Sequence, residues 1–140
     1  MDVGGQRRVS AAIDSNVLLG RHRKQLLVLA SLGIYTLVTS PYIVDELRRI
    51  MQELRWRPEN RDALLHALLS VAVVVDHQVI TGGNYDRWLL DSDDHPVLAT
   101  ALAGQADYLV TDNIRHFPPK KRFADVTIVT SEGFLALLQH

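Results

Sequence analysis

The chain has 140 residues, of which 47% are hydrophobic, with 15 basic and 16 acidic side chains and no cysteine. This size and composition predict a single globular domain with one core. The absence of cysteine excludes thiolate catalysis and cysteine-ligated metals. No apolar run approaches the roughly 18 residues of a membrane span, and the start of the chain lacks the apolar stretch of a signal peptide. We therefore expect a cytoplasmic protein that makes no membrane contact.

Short apolar runs alternate along the chain with longer stretches of helical spacing. The predicted strands are residues 9–13, 34–39, 71–76, 107–111 and 126–130. The predicted helices are residues 18–32, a helix opened by Ser40 and Pro41, residues 59–69 and 94–103, and a last helix capped by Ser131, with a loop at 81–84.

This alternation predicts a three-layer α/β/α sandwich with a central, mainly parallel sheet. We expect residues 1–8 to form a flexible tail and residues 9–140 to form the domain. In open α/β sheets the functional site lies at the carboxyl ends of the strands, so the residues at those ends come first.

Acidic side chains directly follow two of the predicted strands. Asp14 follows the first strand, and Asp112, with Asn113 after it, follows the strand at 107–111. Each aspartate alone is explained by a turn or a helix cap. Two carboxylates at the same edge of one sheet would repel each other unless a cation or a shared proton compensates.

Glu46 lies on the helix that Pro41 opens, beside an apolar stripe formed by Ile43, Leu47, Ile50 and Leu54. At 100° per residue, Glu46 falls about 70° from the centre of this stripe and Asp45 about 170° from it. Asp45 is therefore expected to face solvent and Glu46 to lie at the margin of the buried face. The alternative for Glu46 is a boundary position paired with Arg48 or Arg49.

Asp94 stands at helical spacing with Val97, Leu98 and Ala101, and Asp91 and Asp93 precede it. Three aspartates in four residues exceed what helix capping needs, which suggests a cation site. Carboxylate oxygens without cysteine favour Mg²⁺ or Mn²⁺ over zinc. The six histidines show no paired metal-binding spacing, and no phosphate-binding glycine motif is present.

Four segments in order carry a family resemblance: IDSNVLL at 13–19, TSP at 39–41 leading into VDEL at 44–47, DDHPVLA at 93–99 and ADYLVTDN at 106–113. Together they resemble a PIN domain, and they are most similar to the branch that includes the VapC-like toxins of bacterial toxin–antitoxin pairs. The resemblance covers residues 9–138.

The resemblance implies that the family's first three acidic positions fall on Asp14, Glu46 and Asp94. The fourth is ambiguous. In many relatives the carboxylate stands two residues after the strand-terminal threonine, where this chain has Asn113, whereas Asp112 stands one residue after it. Because a carboxylate binds Mg²⁺ better than an amide does, we favour Asp112 with Asn113 nearby.

The resemblance further implies a metal-dependent endoribonuclease that uses Mg²⁺ or Mn²⁺ and leaves a 5′-phosphate and a 3′-hydroxyl. Ser15, Asn16 and Thr111 would orient the carboxylates, or would instead bond backbone groups at the strand ends. The implied partners are RNA, an antitoxin protein and a second copy of the chain. Candidates for contact with the RNA backbone are Arg21, Arg23, Lys24, Arg48, Arg49, Lys120, Lys121 and Arg122.

Two other functions compete with this reading. A phospho-receiver module would need adjacent acids after the first strand, and here Asp14 is followed by Ser15. A degenerate PIN scaffold that binds RNA or a protein without cleavage remains the main alternative, because the fourth acidic position is ambiguous.

Overall fold

The chain folds around a mainly parallel sheet in the computed structural model, which describes residues 8–79 and 94–139. The strands within these residues are β1 (Ser10–Ile13), β2 (Thr36–Thr39), β3 (Val73–Val74), β4 (Tyr108–Val110), β5 (Arg122–Phe123) and β6 (Val126–Val129). Their order across the sheet is β3-β2-β1-β4-β6-β5. The predicted mainly parallel sheet is confirmed.

The central strand β1 pairs in parallel with β2 on one side and with β4 on the other. β2 pairs with β3 and β4 pairs with β6, also in parallel. The exception is β5, which runs antiparallel to β6 at the sheet edge. This strand was not predicted, because two residues are too few to produce an alternating pattern.

Helices follow most of the strands, as the alternation predicted. They are α1 (Ser15–Leu18), α2 (Arg23–Ser31), α3 (Pro41–Glu53), α4 (Pro58–Val71), α5 (His95–Ala103) and α6 (Ser131–Leu138), with a 3₁₀ helix at His77–Val79. Ser40 caps α3 as predicted, since its hydroxyl accepts a hydrogen bond from the Ile43 N–H.

Two helix predictions were wrong in detail. The helix expected at 18–32 begins only at Arg23, because α1 ends at Leu18 in a turn that contains Gly20, whose N–H bonds to the Val17 carbonyl. The cap of α6 is Thr130 and not Ser131, because the Thr130 hydroxyl accepts the hydrogen bond from Gly133 N–H. Gly33 ends the α2 segment as expected, with a positive φ of 75° that favours glycine.

The two faces of the sheet are covered by different helices. In β1, Ala11 and Ile13 belong to a core cluster shared with buried residues of α1 to α4 and α6, whereas Ala12 belongs to a second cluster shared with α5. Successive side chains of a strand point to opposite faces, so this alternation places the sheet between two helical layers. The predicted three-layer α/β/α sandwich is confirmed.

Some predictions fall outside the described residues. They concern residues 1–7 of the expected tail, the loop at 81–84, and Asp91 and Asp93. Within the described part of the chain, no helix is long and apolar enough to cross a membrane.

Candidate active site

Asp14 lies at the carboxyl end of the central strand and is 6% exposed. Its N–H continues the ladder between β1 and β4 by donating to the Val110 carbonyl over 2.9 Å. Its carboxylate caps α1, since Oδ1 accepts the Ser15 N–H over 2.8 Å. Asp14 is therefore a helix cap, as the simpler explanation predicted, and is also buried at the sheet edge where a site was expected.

The second oxygen of Asp14 is bound by side chains from two elements. Oδ2 accepts the Thr111 hydroxyl over 2.8 Å and the Asn16 side-chain amide over 3.2 Å. Thr111 is fully buried and directly follows β4, so its hydroxyl joins the ends of the two neighbouring strands. These contacts fix the orientation of the Asp14 carboxylate.

Glu46 contacts the same region from α3. Its Oε1 accepts the buried Ser15 hydroxyl over 2.5 Å, and its Oε2 lies 3.4 Å from the Tyr42 hydroxyl, which donates to it. The Asp45 side chain is 74% exposed and pairs with Arg48 on the helix surface. The two side chains thus diverge as their helical angles predicted.

The apolar stripe of α3 differs from the predicted one beyond its first turns. Ile43 and Leu47 are fully buried, but Leu54 is 61% exposed and the other buried positions are Val44 and Met51. Leu54 is exposed because α3 ends at Glu53. Even so, Glu46 bonds to Ser15 rather than to an arginine.

The expected arginine partners of Glu46 are used elsewhere. Arg48 lies 3.3 Å from Asp45, and Arg49 lies 2.9 Å from Glu53.

Asp94 approaches from the other face of the sheet, at the residue before α5. It is 8% exposed, and Val97, Leu98 and Ala101, which share its helical stripe, are buried as predicted. Its Oδ2 lies 2.7 Å from Nδ1 of His116. The carboxylate makes no capping hydrogen bond to α5.

These three acidic residues interact electrostatically. The pKa of Asp14 is raised from its ordinary value of 3.8 to about 6, chiefly by burial and also by the charges of Glu46 and Asp94, while the hydrogen bonds from Thr111 and Ser15 oppose the rise. Asp14 therefore experiences the negative charge of both other predicted acids. A bound cation would relieve this repulsion.

Asp112 points to a different neighbour. Its Oδ1 accepts the backbone N–H of Ser131 over 2.9 Å, and its Oδ2 accepts the Ser131 hydroxyl over 2.8 Å. Asn113 donates its backbone N–H to the Thr111 hydroxyl over 3.1 Å. The structure thus brings Asp14, Glu46 and Asp94 into one electrostatic region and directs the Asp112 carboxylate to the first turn of α6.

The donor set is chemically suited to a hard divalent cation. The side chains at this edge carry carboxylate and hydroxyl oxygens, and such oxygens are ligands that Mg²⁺ and Mn²⁺ prefer. Among residues 8–79 and 94–139, no three Asp, Glu or His side chains are already close enough to form a complete metal site. Binding a cation would require the Glu46 or Asp94 side chain to adjust.

The basic residues predicted to meet RNA are spread over several surfaces. Arg23 stacks over the Trp56 ring, Lys121 over the Phe123 ring, and Arg122 pairs with Asp125. Together with the ion pairs of Arg48 and Arg49, these intramolecular contacts engage many of the basic side chains that were predicted to contact RNA.

Two polar residues near the acids were missed in the sequence. Tyr42 could have been found, because it precedes Glu46 by one helical turn. His116 gave no signal, since 22 positions separate it from Asp94 and only the fold brings them together.

Comparisons with known proteins agree with this architecture. Seven chains of solved structures match, and one of them belongs to the crystal structure of VapBC2 from Rickettsia felis bound to a DNA fragment from their promoter. That match has a TM-score of 0.62 and 20% identity, and covers 87% of this chain and 98% of the other. No curated protein matches the sequence. A family model described as PIN domain matches residues 10–115. The chain belongs to the PIN-domain family.

Proposed function

We propose that this protein is a divalent-metal-dependent endoribonuclease that hydrolyses RNA phosphodiester bonds in the cytoplasm. The observation that carries the proposal is the burial of Asp14 beside two further negative charges, Glu46 and Asp94, at the carboxyl edge of a PIN-domain sheet. Uncompensated carboxylates in such a position are costly, and a cation is the simplest group that stabilises them.

Asp14, Glu46 and Asp94 would hold Mg²⁺ or Mn²⁺, with Asp112 or Asn113 as the fourth group. When bound, the ion supplies Lewis-acid chemistry that activates water and neutralises charge on the phosphodiester. The protein contributes orientation: Thr111 and Asn16 fix the Asp14 carboxylate, and Ser15 fixes that of Glu46. The exposed Arg115, beside His116, is suitably charged to meet the RNA backbone.

The test is cleavage of a mixed RNA pool by the purified protein with Mg²⁺, with Mn²⁺ and with EDTA. We expect cleavage only with a divalent ion. Asp14→Asn and Asp94→Asn should each lower the rate by about a hundredfold or more, equivalent to about 2.7 kcal/mol or more, because the amide keeps the volume of the side chain and loses its charge. Asp125→Asn is the matched control, since that side chain is fully exposed and precedes β6, at the edge of the sheet opposite to the carboxyl ends of the parallel strands.

Equal rates for the wild-type protein and both site variants would contradict the metal-site assignment. The second candidate is a PIN scaffold that binds RNA or a protein without cleavage. It is favoured by one observation, the engagement of Asp112 by Ser131, which leaves three acids in the electrostatic region. RNA binding without cleavage at any divalent-ion concentration would support this candidate.

We also propose that the protein is the toxin of a toxin–antitoxin pair. The support is the similarity of its fold to a chain of the VapBC2 complex from Rickettsia felis, which was solved on a promoter DNA fragment. The expected partners are an antitoxin and a second copy of the chain. Growth arrest on expression, relieved by the product of an adjacent small gene and absent in Asp14→Asn, would support this role. Unchanged growth would contradict it.

A further inference from the structure

His116 contacts a predicted metal-binding carboxylate from outside the acidic group. Its Nδ1 lies 2.7 Å from Asp94 Oδ2, a close polar contact. The Asp94 side chain is 11% exposed and that of His116 is 42% exposed. The imidazole therefore covers a nearly buried carboxylate while its other edge remains accessible.

The loop that carries His116 is held at both ends. The Asn113 backbone N–H donates to the Thr111 hydroxyl, which itself donates to Asp14. The Asn113 carbonyl then accepts the N–H groups of His116 over 3.2 Å and of Phe117 over 3.0 Å. Phe117 is fully buried in the cluster shared with α5. The position of His116 is thus set by the same threonine that orients Asp14 and by a core anchor.

The orientation of Asp94 is not explained by its own helix. It occupies the cap position of α5, yet its carboxylate makes no capping hydrogen bond there. The contact with His116 holds Oδ2 on the side of the 113–117 loop. The charge of the same carboxylate acts on Asp14.

We propose that His116 is a positioning residue, which acts by orienting the Asp94 carboxylate for a divalent cation. The role rests on the proposed function. It needs only the close contact between Nδ1 and the Asp94 carboxylate, and requires no change of charge. Partners of metal-ligating side chains commonly change metal affinity by about 10- to 100-fold when they are removed.

The test measures Mn²⁺ binding to the full chain without RNA, by the loss of the free-ion signal in electron paramagnetic resonance. We expect His116→Ala to weaken binding about tenfold. His116→Asn should stay close to the wild type, because the asparagine amide can donate from nearly the position of Nδ1. His66→Ala, at an exposed position on α4, is the matched control and should bind as the wild type.

Urea unfolding in EDTA separates this role from a purely structural one. Weaker Mn²⁺ binding by His116→Ala, with rescue by His116→Asn at similar stability, supports the positioning role. Equal Mn²⁺ binding by His116→Ala and the wild type would overturn the positioning role. Equal weakening of Mn²⁺ binding in His116→Ala and His116→Asn would also overturn it, as would a wild type that binds no Mn²⁺.

RNA cleavage is measured separately. In His116→Ala, the rate should recover at saturating Mn²⁺, because the ligands themselves remain. A wild-type protein that binds Mn²⁺ and cuts no RNA would contradict the proposed ribonuclease function and leave the positioning role intact.

Discussion

The Asp112 carboxylate accepts hydrogen bonds from both the backbone N–H and the hydroxyl of Ser131. Ser131 is the first residue of α6 and is 3% exposed, so its polar groups have little access to water. This pair joins the loop after β4 to the start of the last helix. Asp112 therefore has a structural task beside the metal-binding role predicted for it.

We expect Asp112→Ala to lower the free energy of unfolding by about 1 to 2 kcal/mol, because it leaves the buried Ser131 groups without this acceptor. Asn113→Ala should cost less, since Asn113 bonds to Thr111 through its backbone. Urea denaturation in EDTA measures both. A larger loss in Asn113→Ala would contradict the structural role of Asp112.

The same two variants test the fourth metal-binding position. The sequence-based prediction is that Asp112→Ala raises the Mn²⁺ concentration for half-maximal cleavage more than Asn113→Ala does, because the carboxylate carries the charge. For this the Asp112 side chain must leave Ser131. The reverse order in a Mn²⁺ titration would assign the fourth metal-binding position to Asn113. Asp112 would then have only its structural role at the start of α6.

Glu46→Gln should lower the cleavage rate by about a hundredfold, equivalent to about 2.7 kcal/mol, whereas Asp45→Asn should leave it nearly unchanged. Glu46 bonds to Ser15 beside Asp14, and Asp45 is largely exposed and paired with Arg48. Initial rates at saturating Mn²⁺ measure the difference. Equal effects of the two substitutions would contradict the placement of Glu46 at the site.

The fold was largely predictable because hydrophobic periodicity is a local signal. The strands at 9–13, 107–111 and 126–130 were found to within about one residue at each end. The strand at 71–76 is only two residues long in the structure, and β5 was missed. Both are two-residue strands at the edges of the sheet. They contain too few residues to show the alternation of buried and exposed side chains that identifies a strand in a sequence.

The candidate site was predictable where a side chain directly follows a strand or has a defined helical angle. Asp14 and Glu46 are of this kind. The partner of Asp112 was not predictable, because its rotamer depends on the start of α6, 19 positions later. The contact between His116 and Asp94 was hidden for the same reason, since it requires the packing of a loop against α5.

Thr111→Val should weaken the site without a change in side-chain volume. It removes the donor to Asp14 Oδ2 and the acceptor of the Asn113 N–H. In the wild type, the hydrogen bond from Thr111 lowers the pKa of Asp14, so its removal should raise that pKa further. We also expect a loss of about 1 to 2 kcal/mol in the free energy of unfolding. Thr127→Val on β6 is the control for urea unfolding. Equal stability of the two variants would contradict the role of the Thr111 hydroxyl.

The raised pKa of Asp14 predicts a pH-dependent loss of stability in metal-free buffer. Burial and neighbouring charge raise this pKa from 3.8 to about 6 in the folded protein. Below about pH 3 the residue is protonated in both states and has no effect, whereas above pH 6 the folded state must hold a disfavoured charge. As the pH rises from 4 to 7, the wild type should lose about 2 kcal/mol of unfolding free energy relative to Asp14→Asn.

The difference between the two proteins isolates Asp14, because all other titrating groups are common to both. Saturating Mg²⁺ should restore the wild type at pH 7, since the ion binds the charged carboxylate. A constant difference between the wild type and Asp14→Asn from pH 4 to 7 in EDTA would show that Asp14 keeps an ordinary pKa, and would remove the electrostatic basis for a cation at this edge of the sheet.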